Sequence, residues 1–160
     1  MKYLPVALAL LGLPFGVAAA EPRLAVFDFE LDNTSLAAST PEELERTRRL
    51  GVQLREMLGV PGRYEVVDIA PVRDKIARAR SIRSCNGCEL DAARQIGADL
   101  VAYGWVQKVS NLILNINVVI EDAKTGRHLR ADSVDIRGNT DESWQRGLRY
   151  LVNNRLLRAP

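Results

Sequence analysis

The sequence predicts a mixed α/β fold: one domain with a five-stranded sheet in the order β-α-β-α-α-β-β-β-α, ending in an antiparallel meander and a terminal helix. Three observations predict it. β-forming runs at Arg23–Glu30 and Tyr64–Val67 are separated by a long amphipathic stretch, the arrangement a parallel crossover needs. From Leu100 onward, three strand-like runs follow one another with only short turns between them, which is the pattern of a meander. No internal repeat or linker divides the 160 residues.

The elements follow in order. Arg23–Glu30 (RLAVFDFE) alternates and is rich in β-formers, so it reads as a first strand running into the polar turn Asp32-Asn33-Thr34-Ser35. Thr40-Pro41-Glu42-Glu43 then supplies a cap, a proline at the first helical position and a glutamate three residues after the cap. The spacing predicts a helix from Pro41 to Leu58, with Leu44, Leu50, Leu54, Met57 and Leu58 near one face and Gly59 as the stop. Tyr64–Val67 is a second short strand ending at Asp68, and Pro71 opens a helix carrying Val72, Ile76 and Ala79 on one side. Asn86 is placed to cap a third helix with Leu90, Ala93 and Ile96 inward, stopped by Gly97.

The meander comprises Leu100–Val109, Leu112–Glu121 and His128–Arg137. In its middle strand, Leu112, Leu114, Ile116, Val118 and Ile120 share one face while Asn115, Asn117 and Glu121 take the other, so only one face is strongly apolar. The last strand changes phase between Leu129/Ala131 and Val134/Ile136, which predicts a bulge. Gly138-Asn139-Thr140 turns into a final helix from Asp141, with Trp144, Leu148, Leu151 and Arg155 at helical spacing.

The first twenty residues, MKYLPVALALLGLPFGVAAA, carry Lys2, an apolar stretch and then Ala18-Ala19-Ala20, the pattern of a cleaved secretory leader. Pro5, Gly12, Pro14 and Gly16 interrupt that stretch, which is shorter than the ~20 apolar residues a membrane span needs. The expected organisation is therefore a signal peptide at 1–20 and one secreted domain at 21–160, soluble in the periplasm and without stable membrane insertion after cleavage. Glu21, not a cysteine, stands directly after the cleavage site, so a lipoprotein anchor is not expected.

With 22 Lys+Arg against 20 Asp+Glu the chain is close to neutral, and loss of Lys2 brings it closer. That gives no electrostatic footprint for nucleic acid or anionic membrane. Cys85 and Cys88 are the only cysteines, and in an oxidising compartment a disulfide between them is the default. A lone C-x-x-C followed by Glu89 has too few ligands for a zinc ribbon and lacks the histidine of a covalent haem site, so no cofactor is expected. Arg80, Arg83 and a helix N-terminus beside the pair are the circumstances that lower a cysteine pKa and enable exchange. Against exchange, the pair follows two helical stretches where a thioredoxin-like site follows an early strand, and its interior is Asn-Gly; the preferred reading is a structural bond that fixes the turn before the third helix, since so small a loop removes only roughly 2 kcal/mol of chain entropy.

Four carboxylates are candidate ligand-binding residues. Asp28, Glu30 and Asp32 alternate, which predicts that all three point to one side of the first strand, an oxygen-rich arrangement suited to a hard cation. Asp68 ends the next strand, and two parallel neighbours would bring it and Asp28 to adjacent carboxyl ends, where open α/β sheets bind ligands. Asp68 is equally well placed to cap the helix at Pro71. Asn115 and Asn117 with Gln107 and Lys108 in the neighbouring strand form either a polar recognition surface or, the preferred reading, a plain solvated sheet face, and Tyr103, Trp105 and Trp144 are candidate pocket or core aromatics. His128 has no partner by sequence, and no residue set names a reaction, so no catalytic residues are assigned.

The run "RLAVFDFEL", the segment "GRYEVVD", the block "CNGCELDAARQIGADLV" and the long stretch "GWVQKVSNLILNINVVIEDAKTG…SVDIRGNTDESW" resemble a family of bacterial secreted proteins known only as a domain of unknown function. The resemblance covers essentially the whole mature chain. It implies a periplasmic protein and, since some members accompany genes for quinoprotein (PQQ-dependent) alcohol oxidation, an accessory role there. More remotely, "RLAVFDFE", "GRYEVVD" and "IGADLVAYGWV" are similar in placement to α/β domains of envelope assembly proteins, such as the amino-terminal domain of TolB and the curli secretion factor. The expected function is a non-catalytic accessory or binding protein whose partner is an envelope or periplasmic protein. A thiol–disulfide protein using Cys85/Cys88 and an envelope-assembly interaction domain are the competing expectations.

Overall fold

Residues 20–157 are described by a computed structural model; residues 1–19 of the expected leader lie outside the described residues. The mixed α/β architecture is as predicted, with one difference in strand count. The first strand is two, Arg23–Val26 (β1) and Glu30–Asn33 (β2), so the sheet has six strands. The others are Glu65–Val67 (β3), Leu100–Lys108 (β4), Ile113–Asp122 (β5) and His128–Arg137 (β6). The order across the sheet is β3-β1-β4-β5-β6, with β2 continuing past β1 along β4. Pairings of β1 with β3 and of β1 and β2 with β4 are parallel; β4, β5 and β6 are antiparallel neighbours.

The split in the first strand has a register origin. Val26 pairs with Ala102 and Glu30 with Trp105, so Phe27, Asp28 and Phe29 stand opposite only Tyr103 and Gly104. The extra residue is a bulge, and it reverses the alternation beyond it. Leu24, Val26 and Phe29 belong to one core cluster, Ala25 and Phe27 to the other. The last strand does carry a bulge, but at its start and not at the predicted place: Ile120 pairs with Arg130 and Glu121 with His128, leaving Leu129 as the extra residue, while Ala131 to Ile136 keep a regular register with β5.

Helix Pro41–Leu58 (α1) has the predicted bounds because Thr40 and Glu43 close a reciprocal capping box. Its inward face is Glu43, Thr47, Leu50, Leu54 and Leu58; Leu44, expected inward, lies one position off that face and is exposed. Helix Asp141–Leu151 (α4), capped by Thr140, packs beside α1 and continues as a wider π turn over Val152–Leu156. These two helices cover the first face of the sheet, burying Leu24, Val26, Val106, Ile116, Val118 and Trp144 among others. On the second face, a 3-10 turn at Ala70–Val72, the short helix Arg73–Ala77 (α2), a 3-10 turn at Ile82–Ser84 and helix Cys88–Gln95 (α3) cover Ala25, Phe27, Val101 and Tyr103. Asn86 does not cap α3. It takes a left-handed conformation with φ 58°, and Gly87, with φ 95°, occupies the cap position without a side-chain bond.

Candidate functional site

The second face is covered over β3, β1, the first half of β4 and the end of β5 paired with it. Beyond that cover, directly paired residues share a face and form two rows across the sheet: Glu30–Trp105–Asn117–Ser133 and Asp32–Gln107–Asn115–Asp135. Trp105 is half-buried, Ser133 and Asp135 are exposed, and the two asparagines are partly accessible. Arg83 reaches from the 3-10 turn to lie 4.8 Å from the centre of the Trp105 ring, a cation–π contact. The same guanidinium pairs with Asp32 at 3.2 Å and Glu30 at 3.6 Å. A hollow of about 320 Å³ lies along Trp105, Asn117, Ala131 and Ser133. The predicted polar sheet face thus exists, with one correction. Lys108 faces the opposite side, where its Nζ is buried 2.5 Å from Glu43 Oε1, because β4 alternates and Gln107 takes the outward place.

The four candidate carboxylates are not gathered at one point. The bulge turns Asp28 toward α1, where it pairs with Arg55, whose Nε also donates to the Val26 carbonyl. Glu30 and Asp32 come together around Arg83, and Glu30 additionally accepts from Ser81 Oγ at 2.7 Å and the Ile82 amide at 2.5 Å, tying that turn to the sheet. β1 and β3 are parallel neighbours as expected, but Asp68 Oδ1 accepts from the Ala70 amide and caps its own turn. A cleft of about 230 Å³ does open at the carboxyl end of β1, walled by Phe27, Ile69, Ile76 and Ile82, and Asp28, Glu30 and Arg73 also line it.

The cysteines form the expected disulfide, with Cα atoms 5.5 Å apart. Beneath it lies a polar cluster that sequence reasoning missed. Glu89 is buried with Oε2 3.1 Å from Cys85 Sγ. Glu121 is buried beside it, accepting from Tyr103 Oη at 2.7 Å and pairing with His128 Nε2 at 2.8 Å. Burial above all, then the bond to Glu121, pushes the Tyr103 hydroxyl far above its ordinary value. The four-residue step from Cys85 to Glu89 was the available signal; the role of Glu121 depends on the β4–β5 register. Tyr103 and Trp144 are core residues, and Trp144 Nε1 donates to Asn139 Oδ1.

A mixed sheet of this order with helices on both faces defines a class of small α/β domain that solved bacterial proteins share. The chain is similar to the lipoprotein GNA1162 of Neisseria meningitidis (TM-score 0.54, 20% identity, over 84% of this chain and 95% of that one). It is similar also to LpoB of E. coli, solved by NMR (0.53, 16%, 78% of this chain and 60% of that one), and to the PelC dodecamer of Paraburkholderia phytofirmans (0.51, 11%, 82% and 86%). At these identities the likeness is one of fold. Within that class, residues 22–156 match the family described as "Protein of unknown function (DUF2380)", and the chain belongs to it. None of the curated proteins matches the sequence. No helix among the described residues is long and apolar enough to cross a membrane.

Proposed function

We propose that this domain is a non-catalytic accessory protein of the bacterial envelope that works by binding an envelope or periplasmic protein through the open half of its second sheet face. The observation that carries the reading is the Arg83–Trp105 stack set in two rows of uncharged and acidic side chains. Tryptophan and arginine are the residue types that most often dominate binding energy, and a rim of small polar groups suits a reversible contact. Export rests on the leader pattern at 1–20, and the fold shared with a protein described as a lipoprotein supports an envelope setting. The fold shared with a dodecamer makes a second copy of the chain one candidate partner.

A photo-crosslinking residue at Asn117 tests this, with Glu56 on the outer side of α1 as the control position. The expected result is one discrete adduct from Asn117, none from Glu56, and loss of the adduct when Trp105→Ala is added to a still-folded protein. Truncating a central anchor of this kind costs about 2 kcal/mol or more of binding, roughly 30-fold in Kd. Equal labelling from both positions refutes the reading.

Ligand binding by Asp28, Glu30, Asp32 and Asp68 is the narrower proposal, and the cleft at the end of β1 gives Asp28 and Glu30 the best access to a small molecule. Service to quinoprotein alcohol oxidation rests on the family resemblance; a rise in melting temperature with PQQ or calcium supports it, since a ligand of the native state stabilises by mass action. A second reading, thiol–disulfide exchange at Cys85/Cys88, is favoured by one observation, the buried carboxyl against the Cys85 sulfur.

A further inference from the structure

Glu89 is the second residue of α3 and is 8% exposed. Both cysteine sulfurs and one of its oxygens lie within 4.8 Å of one another. The charged groups facing it are Glu121 from β5 and Asp91 and Arg94 from its own helix. Arg94 is engaged by Asp91 and by the Ala123 carbonyl, while Arg83 is taken up by Glu30 and Asp32. Tyr103 and His128 are spent on Glu121. Among the described residues the side-chain contact left to Glu89 is the disulfide. A disulfide sulfur carries no hydrogen, so a hydrogen bond across 3.1 Å needs the proton on the carboxyl. Burial first, then the charges of Glu121 and Asp91, hold that carboxyl above its ordinary range, against its own backbone amide and Arg94.

We infer that Glu89 is the proton carrier of an exchange-active Cys85–Cys88 disulfide, a proposal that rests on the thiol reading above. A cysteine thiolate of a partner protein's dithiol attacks Cys88 Sγ, the sulfur on the first residue of α3. A bond forms between the two sulfurs, the Cys85–Cys88 bond breaks, and its electron pair goes to Cys85 Sγ. That sulfur takes the proton from Glu89 Oε2, leaving a carboxylate that solvent reprotonates. The partner's second thiol, losing its proton to solvent, then attacks the partner-side sulfur and closes the partner's disulfide. Cys88 leaves as a thiolate, favoured by the helix N-terminus. Two electrons pass from the dithiol, which is oxidised, to the Cys85–Cys88 pair, which is reduced.

The test follows the opening of the disulfide by dithiothreitol in the full-length oxidised protein and its Glu89→Gln variant between pH 4.5 and 9, read by alkylation and mass. The amide keeps the shape of the carboxyl but has no proton to give. The expected result is a rate per dithiothreitol thiolate at least tenfold lower in Glu89→Gln, a floor set below the roughly hundredfold or more typical of general-acid effects. The wild-type rate per thiolate should also fall as Glu89 titrates, whereas that of the variant stays flat. A variant with the wild-type pH profile, at any rate, overturns the proton role; circular dichroism and melting confirm that it folds. The thiol reading is tested separately by Cys85→Ser, which leaves Cys88 able to hold a mixed disulfide in the envelope. Recovery of one partner joined through Cys88 supports exchange, and its absence overturns the thiol reading whatever Glu89→Gln does.

Discussion

Replacing Lys108 with methionine probes the most demanding polar contact in the core. Lys108 and Glu43 each have side chains 2% exposed, and their closest approach is 2.5 Å. Glu43 is held further by the Thr40 amide at 2.9 Å and by Asn139 Nδ2 at 2.5 Å, and Asn139 in turn accepts from Trp144. The network therefore joins the start of α1, the end of β4 and the start of α4. Lys108→Met leaves the carboxylate buried with neutral donors only, a loss that typically costs about 3–5 kcal/mol. With an unfolding entropy near 0.3 kcal/mol/K for about 140 residues, that is roughly 10–17 °C in Tm.

The pH dependence gives the sharper check. Burial is the largest influence on Glu43 and raises its pKa, but the Lys108 hydrogen bond, the Thr40 amide, Asn139 and the Lys108 charge together hold it below the usual carboxylate range. A depressed folded pKa contributes stability that is present above the unfolded value of about 4.3 and is lost as pH falls through the folded value. Without the ammonium, burial dominates and Glu43 takes up a proton at higher pH. Urea unfolding at pH 7.5 and 4.5 should show the full deficit at the higher pH and a smaller one at the lower. Glu43→Gln/Lys108→Met should regain part of the loss at pH 7.5. A deficit under about 1 kcal/mol, or one independent of pH, refutes the assignment of a desolvated ion pair.

Two further predictions concern the backbone. A Cβ at Gly104 would sit 2.4 Å from Phe29 Cε1 and 2.7 Å from the Asn117 carbonyl, so Gly104→Ala should destabilise by at least about 2 kcal/mol in urea unfolding, and a neutral outcome would mean Phe29 does not lie over β4. Cys85→Ser/Cys88→Ser removes closure of a very short loop and should lower stability by about 2 kcal/mol, roughly 7 °C in Tm; collapse of the fold would show that the bond holds more than its own turn.

Sequence was most informative where a local interaction decides the structure. The start of α1 was legible because Thr40 and Glu43 satisfy each other's amides within one turn, without reference to the rest of the chain. The open polar face was legible because Asn115 and Asn117 alternate with a continuous apolar row in β5. The bulge at Phe27–Phe29 was not legible, and the reason is burial. Residues 24–27 are all buried, each face of β1 being covered by helices, so alternation there no longer distinguishes inside from outside. The run Phe27-Asp28-Phe29-Glu30 therefore reads equally well as one continuous strand, although Phe27 and Phe29 enter different core clusters. Lys108 escaped for another reason: a lysine at a strand end ordinarily faces water, and its partner stands 65 positions earlier.

The bulge also decides what the candidate site can be. Had the strand run straight, Asp28, Glu30 and Asp32 would share one side, and the concentration of charge would favour a hard cation. The extra residue sends Asp28 to Arg55 on α1 and leaves Glu30 and Asp32 to neutralise Arg83 on the other face. Paired in this way, the two acids hold the Arg83 guanidinium beside Trp105, 4.8 Å from the centre of its ring. One inserted residue thus divides between two arginines the acids that a straight strand would have gathered on one side.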